Sequence, residues 1–178
     1  MIKHSEQRIA VLVDVQNMYH SARNLFDNAR VNFEEVLKGA VAGRKLVRAI
    51  AYVVSSQTTE EEGFFDALDK QGFELKMKDI QVFSSGAKKA DWDVGMAIDA
   101  VKIADKVDVV VLVTGDGDFI PLVWYLRENK GCLVEVAAFR NSASSTLIDV
   151  ADDFLDLSGD EKFLRKRKAP SAPRTADK

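Results

Sequence analysis

Four aspartates stand where chemistry can use them. Asp14 closes the apolar run Ile9–Val13, Asp116 and Asp118 follow the run Val109–Val113 across Thr114-Gly115, and Asp93 opens a helical pattern. A short run that is apolar at every position reads as a strand buried on both faces. In open α/β sheets ligands collect just beyond the carboxyl ends of such strands. Parallel strands all end at one edge, so acids far apart in sequence converge there; the helix-borne Asp93 is the one whose place is least fixed by this argument. Carboxylates brought together repel and raise one another's pKa unless a cation sits among them. Mg²⁺ or Mn²⁺ fits such oxygen donors, lowers the pKa of a bound water and stabilises charge on a phosphoryl oxygen. The chemistry expected is phosphodiester hydrolysis. Any one of these residues alone is explained as well by a surface turn or a helix cap. Together they are not, because buried strands gain nothing from ending repeatedly in acids.

Other residues fall around the same expected edge. Asn17 lies one turn after Asp14, close enough for its amide to point back. Arg140, Asn141, Ser142 and Ser144 form a polar loop after the last long apolar run, and Lys88 and Lys89 approach from the other side; both sets can grip a phosphate backbone, which gives affinity without sequence choice. Trp92 and Tyr19 are candidates for stacking on single-stranded bases. Trp124 and Tyr125 are expected in the partly buried core.

Several chemistries are excluded. Gly115-Asp116-Gly117 lacks the third glycine of a dinucleotide fingerprint, since Ile120 holds that position, and no Walker lysine or EF-hand loop is present. His4 and His20 are too few for zinc. No nucleophile elbow appears. A phosphotransfer receiver or small-molecule phosphatase pocket stays open as an alternative: Thr114 has the right type for a receiver, but no strand-end lysine accompanies it.

The elements needed to position the acids alternate along the chain. Strands are expected at Arg8–Asp14, Leu46–Val54, Phe73–Lys78 (half-exposed), Asp108–Val113 and Cys132–Phe139, with Gln81–Phe83 an edge segment and Phe154–Leu157 a last short strand or an apolar clamp. Helices are expected from Val15 to about Asn28, over Phe33–Ala42, from Thr59 to Gln71-Gly72, over Asp91–Lys106, from about Gly117 to Asn129, and over Ser145–Ala151. The helix from Asp91 carries Val94, Ala97, Ile98, Val101 and Ala104 on one stripe, which predicts its buried face. Ser84–Lys89 reads as a flexible basic loop. Strands alternating with helices predict a three-layer α/β/α sandwich with a mainly parallel central sheet.

Length and composition agree with one domain. The chain has 178 residues, 47% hydrophobic and 30% charged. The net charge of −3 excludes a generally basic nucleic-acid binder, although Lys162, Arg165, Lys166, Arg167 and Lys168 cluster near the end. Residues 1–158 are expected to form the domain and 159–178 a basic tail, disordered beyond about Lys168. The single Cys132 excludes an internal disulfide and fits a buried thiol in a reducing compartment. No apolar stretch reaches the roughly 20 residues a membrane helix needs, and no signal peptide is visible. Cytoplasmic location without membrane contact is expected.

Asp14-Val15-Gln16-Asn17, then Asp93-Val94-Gly95-Met96-Ala97-Ile98-Asp99, then Thr114-Gly115-Asp116-Gly117-Asp118-Phe119 resemble, in order, the motifs of the NYN-domain family, PIN-like proteins, in the bacterial subgroup often called LabA-like. Ser144-Ser145-Thr146-Leu147 and Ala151-Asp152-Asp153-Phe154 are similar to that family's last helix, so the resemblance spans about Ile9 to Leu157. It implies a PIN-like fold and a Mg²⁺- or Mn²⁺-dependent endoribonuclease. Carried over by position, Asp14, Asp93, Asp116 and Asp118 are metal ligands and catalytic residues, Asn17 orients a ligand or a water, and Lys89 contacts phosphate. Asp99 is a lesser candidate behind the ligands. Single-stranded RNA is the expected substrate and DNA the second choice. A catalytically silent RNA-binding or regulatory module on the same fold is the principal alternative. The oligomeric state is open, a homodimer being one arrangement the sequence allows.

Overall fold

The computed structural model describes residues 3–55, 58–79, 81–82, 88–89 and 91–165. Among the described residues the strands are Arg8–Asp14 (β1), Arg30–Val31 (β2), Lys45–Ser55 (β3), Glu74–Asp79 (β4), Gln81–Val82 (β5), Lys88–Lys89 (β6), Val109–Val113 (β7), Leu133–Ala138 (β8), Asp153–Asp156 (β9) and Leu164–Arg165 (β10). The α-helices are Val15–Leu25 (α1), Phe33–Val41 (α2), Thr59–Lys70 (α3), Asp93–Ala104 (α4), Ile120–Lys130 (α5) and Ser145–Val150 (α6).

The central sheet has the order β4–β3–β1–β7–β8–β9, and each neighbouring pair is parallel. Alternation along the middle strands splits the core in two. Ile9, Val11 and Val13 of β1 and Val109, Val111 and Val113 of β7 pack with Met18 of α1, Val36 of α2 and Leu68 of α3. Ala10, Leu12, Val110 and Leu112 face the other way, onto Met96 and Ala100 of α4, Leu126 of α5 and Leu147 of α6. The expected α/β/α sandwich is therefore the fold found. After β1 the chain builds outward through β3 to β4; after β7 it builds the other way, through β8 to β9. This reversal opens a crevice at the carboxyl ends of β1 and β7, the ordinary place for a ligand in such a sheet.

The differences from expectation have local causes. Helix α1 stops at Leu25 instead of near Asn28, because Asp27 and Asn28 adopt φ of 45° and 59°. Helix α4 begins at Asp93, and its buried residues are Met96, Ala100, Ile103 and Ala104; of the expected stripe only Ala104 belongs to them, and Val94 and Ile98 are exposed. Apolar residues occupy most of α4's circumference, so periodicity alone does not choose a face. The choice follows from Asp99, whose carboxylate accepts hydrogen bonds from the Tyr52 hydroxyl (2.8 Å) and Lys76 Nζ (2.6 Å). Trp124 and Tyr125 lie on the surface and not in the core, since Leu122, Val123 and Leu126 already fill the inner face of α5. Lys88–Lys89 is not loop but the strand β6, antiparallel to β5; residues 83–87 lie outside the described residues. Within the expected tail, Phe163 is buried beside Gly39, and β10 pairs antiparallel with β2. Residues 166–178, including the expected disorder beyond Lys168, lie outside the described residues.

Candidate metal centre and nucleic-acid cleft

The carboxyl ends of β1 and β7 are one strand spacing apart, with Val13 paired to Val113. Asp14 is the last residue of β1 and also the N-cap of α1, its Oδ1 accepting from the Asn17 amide at 3.0 Å. That cap turns the chain sharply into α1 and holds the carboxylate at the sheet edge. Beyond β7, the Asp116 N–H donates to Thr114 Oγ1 (3.2 Å), and Asp116 Oδ1 accepts from the Asp118 N–H (2.9 Å). The two loops are tied together by Asn17, whose Oδ1 accepts from the Gly115 N–H at 3.0 Å. Asn17 thus ties the acidic turn to α1, and it also lines the cleft.

Gly115 is needed for close approach. A Cβ there would lie 2.9 Å from Ala143 Cα, and the Ser144 N–H donates to the Gly115 carbonyl at 2.9 Å. The loop at 140–144 is thereby docked on the acidic turn, with Ser144 capping α6 through its Oγ (3.4 Å from the Leu147 N–H).

Asp93 arrives from α4, and the residue before it fixes where. The Trp92 indole N–H donates to the Val53 carbonyl at the end of β3 (2.8 Å), its ring meets Tyr52 at 5.4 Å between centroids, and Lys78 Nζ sits 5.0 Å from the ring centre. On the helix side Gly95 leaves room for the ring: a Cβ there would come within 2.7 Å of it. Trp92 is therefore a wedge between α4 and the sheet, half-buried, and part of its surface lines the cleft.

The outcome is a cluster. One oxygen from each of Asp93, Asp116 and Asp118 lies within 4.8 Å of the others, Asp118 being the exposed member. Asp14 is outside this tight set but lines the same cleft, a hollow of about 320 Å³ that Asp93 and Asp116 also line. Burial, with added repulsion from Asp93 and Asp116, pushes its carboxyl up to about 6, against the opposing pull of the Asn17 N–H. Among the described residues neither Asp116 nor Asp118 forms an ion pair, and no lysine or arginine lines the cleft. Three clustered hard oxygen donors fit Mg²⁺ or Mn²⁺ and suit neither a soft nor a strictly tetrahedral thiolate-seeking ion.

The expected phosphate contacts are less well placed. Arg140 Nε is hydrogen-bonded to Asp156 at 2.7 Å and its guanidinium stacks on Phe154, so it is held toward β9. Ser142 does line the cleft, its Oγ donating to the Phe139 carbonyl at 3.1 Å. The backbone of Lys88 and Lys89 lies in β6, and their side chains are outside the described residues. Asp99 is turned to Tyr52 and Lys76 and is not part of the cluster. The residues missed from sequence are Asp91 and, on α1, Gln16, His20, Ser21, Asn24 and Leu25, all of which line the cleft; the only signal of the α1 set was a helical spacing counted from Asp14. A larger hollow of about 460 Å³, between α2 and α3, is lined by Glu34, Lys38 and Lys70 among others and contains none of the clustered acids.

The NYN-domain family model matches residues 8–158. The chain belongs to the NYN-domain family. NYN membership accounts for the PIN-like sheet and implies a nuclease or RNA-binding fold. The chain is 27% identical over 177 residues to the Low amplitude and bright protein LabA of Synechococcus elongatus, covering 92% of this chain and 90% of that one. It is 29% identical over 174 residues to an uncharacterized protein of Methanocaldococcus jannaschii, covering 93% of this chain and 64% of that longer one. A crystal structure of a protein of unknown function from Vibrio parahaemolyticus superposes with a TM-score of 0.83 at 36% identity, over 93% of this chain and 100% of that one. Among the described residues of this NYN chain no helix is long and apolar enough to cross a membrane.

Proposed function

We propose that this NYN chain is a cytoplasmic Mg²⁺- or Mn²⁺-dependent endoribonuclease acting on single-stranded RNA. The observation that carries the reading is the gathering of Asp93, Asp116 and Asp118 oxygens within 4.8 Å at the sheet's reversal point. Like charges are not crowded at a half-buried site without cause, and a divalent cation is the natural counterweight. Asp93, Asp116 and Asp118 would hold the ion, with Asp14 completing the set from the wall of the cleft. When bound, the ion supplies an activated water and neutralises charge building on the phosphoryl oxygens. The chain's own contribution is position. Asn17 and the docked loop at 140–144 keep the acidic turn in place, and the Trp92 wedge sets the start of α4 and with it Asp93. Lys88, Lys89, Arg140 and Ser144 are proposed as contacts to the phosphate backbone; for Arg140 this requires release from Asp156.

Labelled single-stranded RNA, incubated with Mn²⁺ and with chelator, tests the reading beside Asp116→Asn. Cleavage that needs the metal and falls more than about 100-fold in the variant is expected, the loss of a direct ligand costing at least as much as the loss of its supporting contacts. RNA that is bound but never cut, with binding kept or strengthened in Asp116→Asn, would establish the silent module instead. Turnover of a phosphate-ester dye without action on RNA would favour a phosphatase-like pocket.

A further inference from the structure

We propose that Gln16, His20 and Asn24 form a rail along α1 that holds the unpaired nucleobases of single-stranded RNA next to the acid cluster. The inference deepens the nuclease reading and takes its substrate, an RNA strand, from it. The three residues follow one another at intervals of four and so lie along one line of the helix. All three are exposed, and all three line the cleft that Asp93 and Asp116 line. From Gln16 to Asn24 the rail runs about 12 Å, from eight residues at the helical rise.

The neighbouring line of α1 makes the contrast. Asn17 is spent on the Gly115 amide, and Ser21 is buried. The side chains of Gln16, His20 and Asn24 make no hydrogen bond or ion pair among the described residues; His20 has only an edge contact with Tyr19, at 5.9 Å between centroids. Two carboxamides and an imidazole offer hydrogen-bond donors and acceptors of the kind that pair with a base edge. With no lysine or arginine lining the cleft among the described residues, its walls offer no positive charge to grip a backbone. Base edges are free for such contacts in single strands, whereas duplex RNA hides them in a groove too deep and narrow to read. Tyr19, exposed beside His20, adds an aromatic face on which a base can stack. An ordinary solvated helix face would carry similar residue types but would not affect RNA binding.

The test uses the full chain carrying Asp116→Asn, which removes cleavage, in Mg²⁺, with a fluorescein-labelled single-stranded RNA of mixed sequence and the same sequence as a duplex. The parent is expected to prefer the single strand. Adding Gln16→Ala, His20→Ala and Asn24→Ala together should weaken single-strand binding at least about tenfold, each lost hydrogen-bonding contact contributing roughly 2- to 10-fold. Thermal melting should not move, because all three side chains face solvent. On the otherwise wild-type chain the same three changes should flatten any base preference at the cut site. A triple variant that binds like its parent, or a parent that does not bind the single strand, overturns the rail. Rail-dependent binding with no cleavage by the wild-type chain in Mn²⁺ would overturn the nuclease reading and leave the rail standing.

Discussion

Arg44 and Glu135 are both almost sealed from water, and they meet through two hydrogen bonds of 2.6 and 2.9 Å while Arg44 also donates to the Ala40 carbonyl. Asp93, Asp116 and Asp118, at the carboxyl ends of the strands, meet as like charges. The first takes its charges out of water; the second crowds two half-buried carboxylates and an exposed one, drawn from the start of α4 and the turn after β7. The first is internally complete, with Lys3 at 3.3 Å adding to the balance. The second is complete only with something added. A folded chain tolerates that repulsion where the rest of the core is dense enough to hold it, and the buried Ile9–Val13 of β1 and Val109–Val113 of β7 supply that support.

The comparison breaks most sharply on the complete side. Glu135→Ala leaves the Arg44 guanidinium buried without its carboxylate, and a loss of about 3–5 kcal/mol in urea unfolding is expected. Replacing both partners, Arg44→Met with Glu135→Leu, should recover most of it; failure to recover would mean that the pair specifies packing as well as neutralising charge.

On the incomplete side the sign reverses. Asp14 rises from 3.8 to about 6 on folding. Between those values the native state keeps a proton that the unfolded chain has released, so this group's contribution to stability falls as pH climbs through the window, and above it the ionised carboxylate costs about 2–3 kcal/mol. Metal-free Asp14→Asn should therefore be more stable than the wild type by that amount at pH 7 and nearly equal to it below about pH 4. Unfolding curves in chelator at the two pH values check this. Adding Mn²⁺ should stabilise the wild type more than the variant and narrow the gap. A destabilised Asp14→Asn at pH 7 would show that the cap to Asn17 outweighs the repulsion.

The smallest effect sharpens the link between packing and site. Gly95→Ala pushes a methyl to within 2.7 Å of the Trp92 ring, which its bond to Val53 holds in place, and about 1–3 kcal/mol of overpacking strain is expected. Because Trp92 adjoins Asp93, cleavage should fall by more than the unfolded fraction explains. A double-mutant cycle with Trp92→Leu should return both quantities together if the wedge positions the acid.

The sequence alone made the architecture legible, because the signals were local. β-branched runs such as Val109–Val113 mark strands wherever they lie, and acids placed just after such runs must share an edge in a parallel sheet. What failed was each inference that needed a neighbour. The buried face of α4 was misjudged because its apolar residues surround the helix and Tyr52 and Lys76, which fix Asp99, are remote in sequence. Trp92 was legible as an aromatic near the site but not as a wedge, since Val53 and Gly95 decide that. The cleft-lining residues of α1 carried no composition signal at all.

Residue type and local period thus determined which segments became the strands of the central sheet and that carboxylates would follow β1 and β7, because both depend on each residue's own geometry and polarity. Only the tertiary structure decided which acids came within 4.8 Å, that Arg140 is held by Asp156, and that one exposed line of α1 faces the cleft beside them. Those outcomes depend on distances between segments up to a hundred residues apart, which strand order and helix packing set and which no local pattern encodes.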